Sequence, residues 1–107
     1  MKLPSTMFSV LGPIPVVSKD KIPSDRESMI CLGRWCALTR TIELSDEVTS
    51  KESRLQVLMH EWVHSSLYDS GVSNGLTSEQ EEAVCDALGS MLAAAAQDGR
   101  LVLRSVR

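Results

Sequence analysis

Two histidines four residues apart are the side chains of this sequence best suited to chemistry. His60 and His64 are the only histidines among its 107 residues, and Glu61 directly follows the first of them. Residues four apart on an α-helix are surface neighbours, with Cβ atoms about 5–6 Å apart, so both imidazoles can reach one metal ion. A strand does not stack its residues in this way. The spacing therefore predicts a metal site on a helix, with His60 and His64 as ligands.

Glu61 is placed to act beside the metal. It follows His60 by about 100° around the helix, which directs its carboxylate toward a metal-bound water. This is the position of a general base, and the pattern His-Glu-x-x-His is that of zinc metallopeptidases. We therefore expect Zn²⁺ as cofactor and Glu61 as a catalytic residue. The alternative is a core helix that carries two hydrogen-bonded histidines.

The third metal ligand has to come from elsewhere in the chain. A catalytic zinc site takes three protein ligands and keeps a fourth position for water, and without a third histidine the remaining ligand must be a carboxylate or a thiolate. We expect Glu82, because Asp86 follows it four residues later on the same helix face. Asp86 could then accept the free N–H of His60 or His64 and fix the imidazole tautomer.

Other ligands remain possible at this point. Glu79 and Glu81 lie just before Glu82 in the sequence. We interpret them as acids that favour a helix N-terminus. The three cysteines, Cys31, Cys36 and Cys85, have no Cys-x-x-Cys spacing. They are interpreted as small buried side chains of a protein in a reducing compartment, which predicts a cytoplasmic location. Cys36 or Cys85 as a metal ligand is the alternative.

Two long helices are predicted to position these side chains. The first begins at Thr49, with a capping box over residues 49–52, and ends near Gly71. The second runs from about Ser78 to Asp98, with acids in its first turn and Gly99 after it. The apolar residues of the first helix recur with a helical period, which places the two histidines at the edge of its buried face. In the second helix the apolar period includes Leu88 and Met91, and Gly89 with the alanines at residues 93–96 predicts close packing against another helix.

Short apolar segments before the helices predict a small sheet. Residues 6–11 and 14–18 are interpreted as strands across a Gly12-Pro13 turn, with Pro15 making the second an edge or marginal strand. Residues 29–36 and 41–45 are predicted to form a second strand pair joined through residues 37–40, with Ile42 and Leu44 on one face and Thr41 and Glu43 on the other. Gly33 indicates a bulge or a close backbone approach. A rival turn at Gly33-Arg34 would place Cys31 opposite Cys36.

The predicted fold is a single α+β domain over residues 1–107, with a small antiparallel sheet packed against two main helices in a minimal zincin-like arrangement. Residues 19–28 are expected to form a surface loop, and residues 100–107 to fray or add a strand. The formal net charge of −3 gives no basic surface for nucleic acid. The sequence contains no run of about 20 apolar residues, so no membrane span is predicted. An acidic surface also does not favour binding to anionic membranes.

The helical motifs also resemble a known family. The segments 60–64 (HEWVH), 81–83 (EEA) and 86–87 (DA) are similar to those of small zinc metallopeptidases of the ImmA/IrrE-like type and their phage and prophage relatives. The resemblance covers roughly residues 29–92 and follows the gluzincin pattern of two histidines and a downstream glutamate. It implies Glu82 as the third ligand. The chain departs from the family in having Val84 and Asp86 where the family usually has Asn and Phe.

This resemblance implies hydrolysis of peptide bonds in an extended peptide or protein substrate. We expect the substrate to add as a strand along an exposed edge, with residues 41–45 as the best candidate. Tyr68, one turn beyond His64, is the nearest candidate donor for the developing negative charge of the carbonyl. The alternative function is a non-catalytic, metal-binding regulatory or protein-interaction module of phage type.

Overall fold

The computed structural model describes residues 3–23 and 31–103 of the chain. A four-stranded sheet precedes two long helices, so the predicted α+β architecture is confirmed. The strands are β1 (Thr6–Ser9), β2 (Gly12–Lys19), β3 (Gly33–Cys36) and β4 (Thr41–Ser45). Their order across the sheet is β1-β2-β4-β3. The sheet is mixed, since β2 and β4 run parallel, whereas a wholly antiparallel sheet was expected.

The first hairpin turns two residues earlier than the sequence indicated. Ser9 pairs with Gly12, so the turn lies at residues 10–11, and Gly12 has a positive φ of 121°. β2 is an interior strand, contrary to the prediction that Pro15 makes it an edge or marginal strand. It tolerates Pro13 and Pro15 because that half of the strand pairs with β1, and pairing with β4 begins only at Val16. No hydrogen bond to β4 is therefore lost at Pro13 or Pro15, although proline has no backbone N–H.

β4 is an interior strand and β3 is the outermost strand on that side of the sheet. The prediction that residues 41–45 form an exposed strand edge is therefore wrong, because β4 is paired with β2 on one side and β3 on the other. The predicted alternation along β4 is confirmed. Ile42 and Leu44 are buried in the core, while Glu43 on the opposite face binds Arg34 and Lys19 from the neighbouring strands.

The helices are α1 (Lys51–Asp69) and α2 (Ser78–Gln97). Their N-caps lie one residue away from the predicted positions, because Ser50 caps α1 and Thr77 caps α2 through a capping box with Gln80. The predicted terminators are confirmed, since residues 71 and 99 are glycines with positive φ. A short 3-10 helix, Val72–Gly75, occupies part of the loop between the helices.

The core lies where α1 packs between the sheet and α2. Its buried side chains include Ile14, Ile42 and Leu44 from the sheet, Leu55, Leu58 and Met59 from α1, and Ala93 and Ala96 from α2. The buried face of α2 consists of small residues, whereas Leu88 and Met91 are exposed, although the helical period had assigned them to the core. Small residues let α2 approach α1 closely.

Some sequence predictions fall partly on residues that the structure does not describe. The predicted loop over residues 19–28 and the predicted strand over 29–36 include residues 24–30, which lie outside the described residues. The prediction for residues 100–107 can be compared only up to residue 103, and residues 101–103 form no strand. Among the described residues, neither helix combines the length and the apolar character needed to cross a membrane.

Candidate metal centre

Three donor atoms from the two helices converge on one point. His60 and His64, one turn apart on α1, bring their Nε2 atoms within 3.2 Å of each other. Glu82 of α2 lies against both, with its carboxylate oxygens 3.2 Å from His60 Nε2 and 2.9 Å from His64 Nε2. These are the three residues that the sequence predicted as metal ligands. The structure brings them together into one group whose donor atoms lie within 4.8 Å of one another.

The geometry of this group fits a tetrahedral zinc ion. Nitrogen and oxygen ligands lie about 2.0–2.2 Å from zinc, so two ligand atoms of a tetrahedral site are about 3.3 Å apart. The separations of 2.9 to 3.2 Å between the donors are close to that value. The Glu82 side chain is 57% exposed, which leaves the group open to solvent on one side. Three ligands and an open side are the requirements of a catalytic zinc site.

A second carboxylate binds the far nitrogen of each imidazole. Asp86 Oδ1 lies 3.0 Å from His60 Nδ1, in the role that the sequence predicted for it. Glu81 Oε2 lies 2.6 Å from His64 Nδ1. A carboxylate on Nδ1 fixes the tautomer that carries its proton there, which leaves Nε2 free to bind a metal. Both histidines are therefore oriented for coordination through Nε2.

Glu61 is not one of the three donors and is held by the sheet. Its Oε1 accepts a 2.9 Å hydrogen bond from the backbone N–H of Trp35 in β3. Burial raises the pKa of Glu61, against the opposing effects of His64, His60 and the Trp35 hydrogen bond. A carboxylate with a raised pKa is a more effective base near neutral pH. Glu61 thus lies beside the metal ligands without belonging to them.

The electrostatics of His64 favour its charged form when no metal is bound. Burial acts to lower the pKa of His64, but the hydrogen bond with Glu81 and the charges of Glu61 and Glu82 outweigh it, so the pKa is raised. Burial likewise acts to raise the pKa of Glu81, but the nearby Ser73 hydroxyl and the hydrogen bond with His64 lower it overall. A proton and a metal ion therefore compete for His64.

Two glycines allow the surrounding elements to approach α1. A Cβ atom on Gly89 of α2 would lie 3.0 Å from the backbone N and Cα of His60. A Cβ atom on Gly33 of β3 would overlap the side chain of Val57 and approach Glu61 Cγ. The close approach predicted for Gly33 is confirmed, and it brings β3 next to Glu61. Gly89 has the matching role on the other side, where α2 carries Glu82 and Asp86 to the histidines.

The cysteines lie around this centre without forming disulfides. Cys85 is fully buried and could form a second metal-binding group with His64 and Glu81. Burial and the neighbouring carboxylates raise the pKa of Cys85 to about 12, which disfavours the thiolate that binds metals. Cys36 belongs to the same alternate set of β3 as Arg34, so it points to the face of the sheet opposite α1. The Glu82 set is the better supported of the two.

Tyr68 lies beside β3. Its ring packs edge-on against Trp35, with centroids 6.1 Å apart, and 55% of the residue is exposed. It lies one turn beyond His64 on α1, as the sequence indicated.

Sequence reasoning missed two contacts of the site. Glu81 was assigned to the helix N-terminus, yet its carboxylate binds His64. The signal that could have identified it is the helical row of Glu81, Cys85 and Gly89, whose small members mark the face that meets α1. The hydrogen bond from Trp35 N–H to Glu61 had no such signal, because it depends on which strand is outermost.

Comparisons with protein-family models, curated proteins and solved structures found no match for this chain.

Proposed function

We propose that this protein is a zinc-dependent metallopeptidase that hydrolyses peptide bonds in extended polypeptides. The observation that carries the proposal is the convergence of His60, His64 and Glu82 within 4.8 Å, beside a separate carboxylate on Glu61. Two helical histidines and a glutamate from the next helix make up the donor set of a gluzincin-type site, and the non-ligating glutamate lies beside it. The resemblance to ImmA/IrrE-like peptidases is part of the same proposal.

Each residue has a distinct role in this mechanism. His60, His64 and Glu82 would hold the zinc ion, which would lower the pKa of a bound water toward about 7 and polarise the scissile carbonyl. Glu61 accepts the proton of the attacking water and delivers it to the leaving amine as the C–N bond breaks. The Trp35 N–H holds Glu61 Oε1, so the second carboxylate oxygen would accept the proton. Tyr68 remains the candidate donor to the carbonyl oxygen.

The substrate would bind along β3. This strand is outermost in the sheet and borders Glu61. An extended peptide that adds to a sheet edge gains main-chain hydrogen bonds, which suits unfolded or flexible polypeptide better than a folded surface. A cytoplasmic location is proposed with this function, because all three cysteines are free, as in proteins of reducing compartments.

The decisive test combines zinc analysis with a cleavage assay. Purified protein loaded with zinc is expected to bind one equivalent and to cleave an unfolded polypeptide such as casein. Glu61→Gln should keep the zinc and lower the cleavage rate by about 10²- to 10⁴-fold, since it removes the base but no ligand. Glu52→Gln, in the first turn of the same helix, is the matched control and should leave the rate unchanged. Equal cleavage by Glu61→Gln would refute the mechanism.

One observation favours a second candidate, a non-catalytic metal-binding interaction module. The carboxylate of Glu61 already accepts a hydrogen bond from Trp35, so it could serve to tie β3 to α1. In that case the zinc-loaded protein would cleave none of the polypeptides offered. Glu61→Ala would lower the free energy of unfolding, while Glu61→Gln, which keeps the acceptor oxygen, would not. The two candidates are thus separated by the same set of variants.

A further inference from the structure

The main-chain groups of β3 alternate between β4 and the open side of the sheet. Ser45 N donates to Leu32 O at 2.9 Å, which marks these residues as a hydrogen-bonded pair of the antiparallel ladder. Pairs alternate along such a ladder, so Arg34 and Cys36 also direct their main-chain groups to β4. Trp35 directs its N–H and C=O outward, and its N–H reaches Glu61. A peptide that adds to β3 would therefore donate a main-chain N–H to the outward C=O of Trp35, while the Trp35 N–H stays with Glu61.

The side chain of Trp35 points to the same side of the sheet as α1. Its ring packs against Tyr68 with centroids 6.1 Å apart. Directly paired residues of an antiparallel ladder have Cβ atoms about 4.5–5.5 Å apart, with side chains on the same face. The peptide residue opposite Trp35 would therefore direct its side chain toward the Trp35–Tyr68 pair. Its main chain would lie next to Glu61.

The Trp35–Tyr68 pair forms an uncharged wall. Among the described residues, Arg40 is the cation found over the Trp35 ring, with its guanidinium 5.6 Å from the ring centroid. Both guanidinium nitrogens of Arg40 bind the carboxylate of Asp69 at 2.8 Å, and the Asp69 side chain is fully buried. This pairing neutralises the charge behind the ring. The acids that bind the histidines belong to α2, on the other side of α1.

We propose that Trp35 and Tyr68 form a subsite for a bulky apolar side chain of the substrate, at the residue that pairs with Trp35. The inference rests on the proposed peptide-binding function and specifies its substrate class. Two aromatic rings offer a large apolar contact area, and Tyr68 is 55% exposed and thus accessible. A charged side chain would lose its hydration there without gaining an oppositely charged partner, because Arg40 is already paired with Asp69. The subsite therefore favours Phe or Leu over Ala, Asp or Lys.

A binding assay tests this without requiring cleavage. Zinc-loaded Glu61→Gln, which retains the acceptor for Trp35 N–H, is titrated with fluorescent extended peptides that vary at one position among Phe, Leu, Ala, Asp and Lys. The Phe and Leu peptides are expected to bind about tenfold more tightly than the Ala peptide. Adding Tyr68→Ala should abolish this preference by weakening the Phe and Leu peptides alone. The conservative Tyr68→Phe, which keeps the ring, should retain the preference.

The control for loss of exposed apolar surface is Leu38→Ala, since Leu38 is 95% exposed in the turn before Arg40. It should leave all affinities unchanged. Equal affinity for all five peptides, no binding of any of them, or a uniform weakening by Tyr68→Ala would overturn the subsite. If the peptides bind with the expected preference but the wild-type protein cleaves none of them, the peptidase proposal fails and the subsite stands.

Discussion

At the scale of single residues, the candidate centre is defined by a carboxylate contact at both ring nitrogens of each imidazole. His60 contacts Glu82 through Nε2 and Asp86 through Nδ1, and His64 contacts Glu82 and Glu81 in the same manner. A carboxylate that accepts the Nδ1 proton makes Nε2 a better metal ligand. Asp86 and Glu81 should therefore affect metal affinity without touching the metal.

The first prediction follows from the difference between these two carboxylates. The Glu81 side chain is 22% exposed and lies 2.6 Å from His64, while Asp86 is 73% exposed and lies 3.0 Å from His60. Glu81→Ala should weaken zinc binding by about 10- to 100-fold, and Asp86→Ala should weaken it less. Competition with a chromophoric chelator at pH 7.5 measures both effects.

Glu79 supplies the control for this comparison. It is exposed in the same first turn of α2, so Glu79→Ala removes an equal charge and should leave zinc affinity within about twofold, because exposed charges are well screened. If Glu79→Ala and Glu81→Ala weaken zinc binding equally, the carboxylates act through net charge alone. A specific role of the Glu81–His64 contact in zinc binding would then be wrong.

At the scale of secondary-structure elements, the centre depends on how closely α2 approaches α1. Gly89 lies against the backbone of His60, and Cys85, Ala93 and Ala96 continue the same buried face of small residues. This spacing brings Glu82 and Asp86 to the histidines. The separation of the two helices is thus set by the absence of a side chain at residue 89.

The second prediction is that Gly89→Ala destabilises the protein. An alanine in an exposed helix position would gain about 1 kcal/mol over glycine. At residue 89 the added Cβ would lie 3.0 Å from backbone atoms of His60, which cannot rotate away. Overpacking of this kind costs about 1–3 kcal/mol, so urea denaturation should give a lower free energy of unfolding. Zinc affinity should fall as well, because Glu82 moves away from the histidines.

The matched control is Gly75→Ala, at the end of the 3-10 helix. An added Cβ there meets no atom within 4 Å, so its free energy of unfolding should match that of the wild type. A Gly89→Ala protein as stable as the wild type, with equal zinc affinity, would contradict the close helix contact.

Local signals predicted the helices well and the sheet less well. The His-Glu-x-x-His spacing, the capping residues and the glycine terminators are local signals, each contained in a few neighbouring residues. The helices that they predict are found with ends shifted by one or two residues. The order of the strands depends on pairing between distant segments, such as the parallel pairing of β2 with β4. No local pattern encodes that pairing, and so β4 was expected at the edge.

The same distinction explains the face of α2 and the role of Glu81. The apolar period of α2 assigned Leu88 and Met91 to the core, but both are exposed. Glu81 lies on the face that packs against α1, together with Cys85 and Gly89. Hydrophobicity alone does not identify a buried face made of small residues, because such a face is defined by how close the neighbouring helix can come. The signal for this face is the run of alanines from residue 93 to 96 together with Gly89, which predicts close packing against another helix, and Gly89, Ala93 and Ala96 are indeed buried.

At the scale of the whole molecule, the candidate centre joins two helices that pack through small residues of α2. Residues 78–97 contain four acids and no lysine or arginine, and three of these acids, Glu81, Glu82 and Asp86, bind the two histidines of α1. The chain as a whole has a formal net charge of −3. A divalent cation at this point would relieve the local excess of negative charge and connect α1 to α2.

The last prediction is that zinc stabilises the folded protein and that protons oppose this effect. Binding to the folded state alone adds about 2.7 kcal/mol when free zinc is 100 times its dissociation constant. Thermal unfolding at pH 7.5 should therefore shift to higher temperature with zinc and return with a chelator. Because the pKa of His64 is raised, protonation competes with zinc at a higher pH than it would for an ordinary histidine. The shift should therefore shrink steadily as the pH falls from 7.5 to 6.

His64→Ala separates binding at this centre from binding elsewhere. It removes one of the three ligands, so added zinc should leave its unfolding temperature unchanged at every pH, whereas Cys36→Ala, on the opposite face of the sheet, should respond like the wild type. Zinc that binds the unfolded chain through cysteines would instead lower the unfolding temperature of the wild type and of His64→Ala alike. That outcome would mean that the two helices are not joined by a metal ion, and the proposed centre would have to be abandoned.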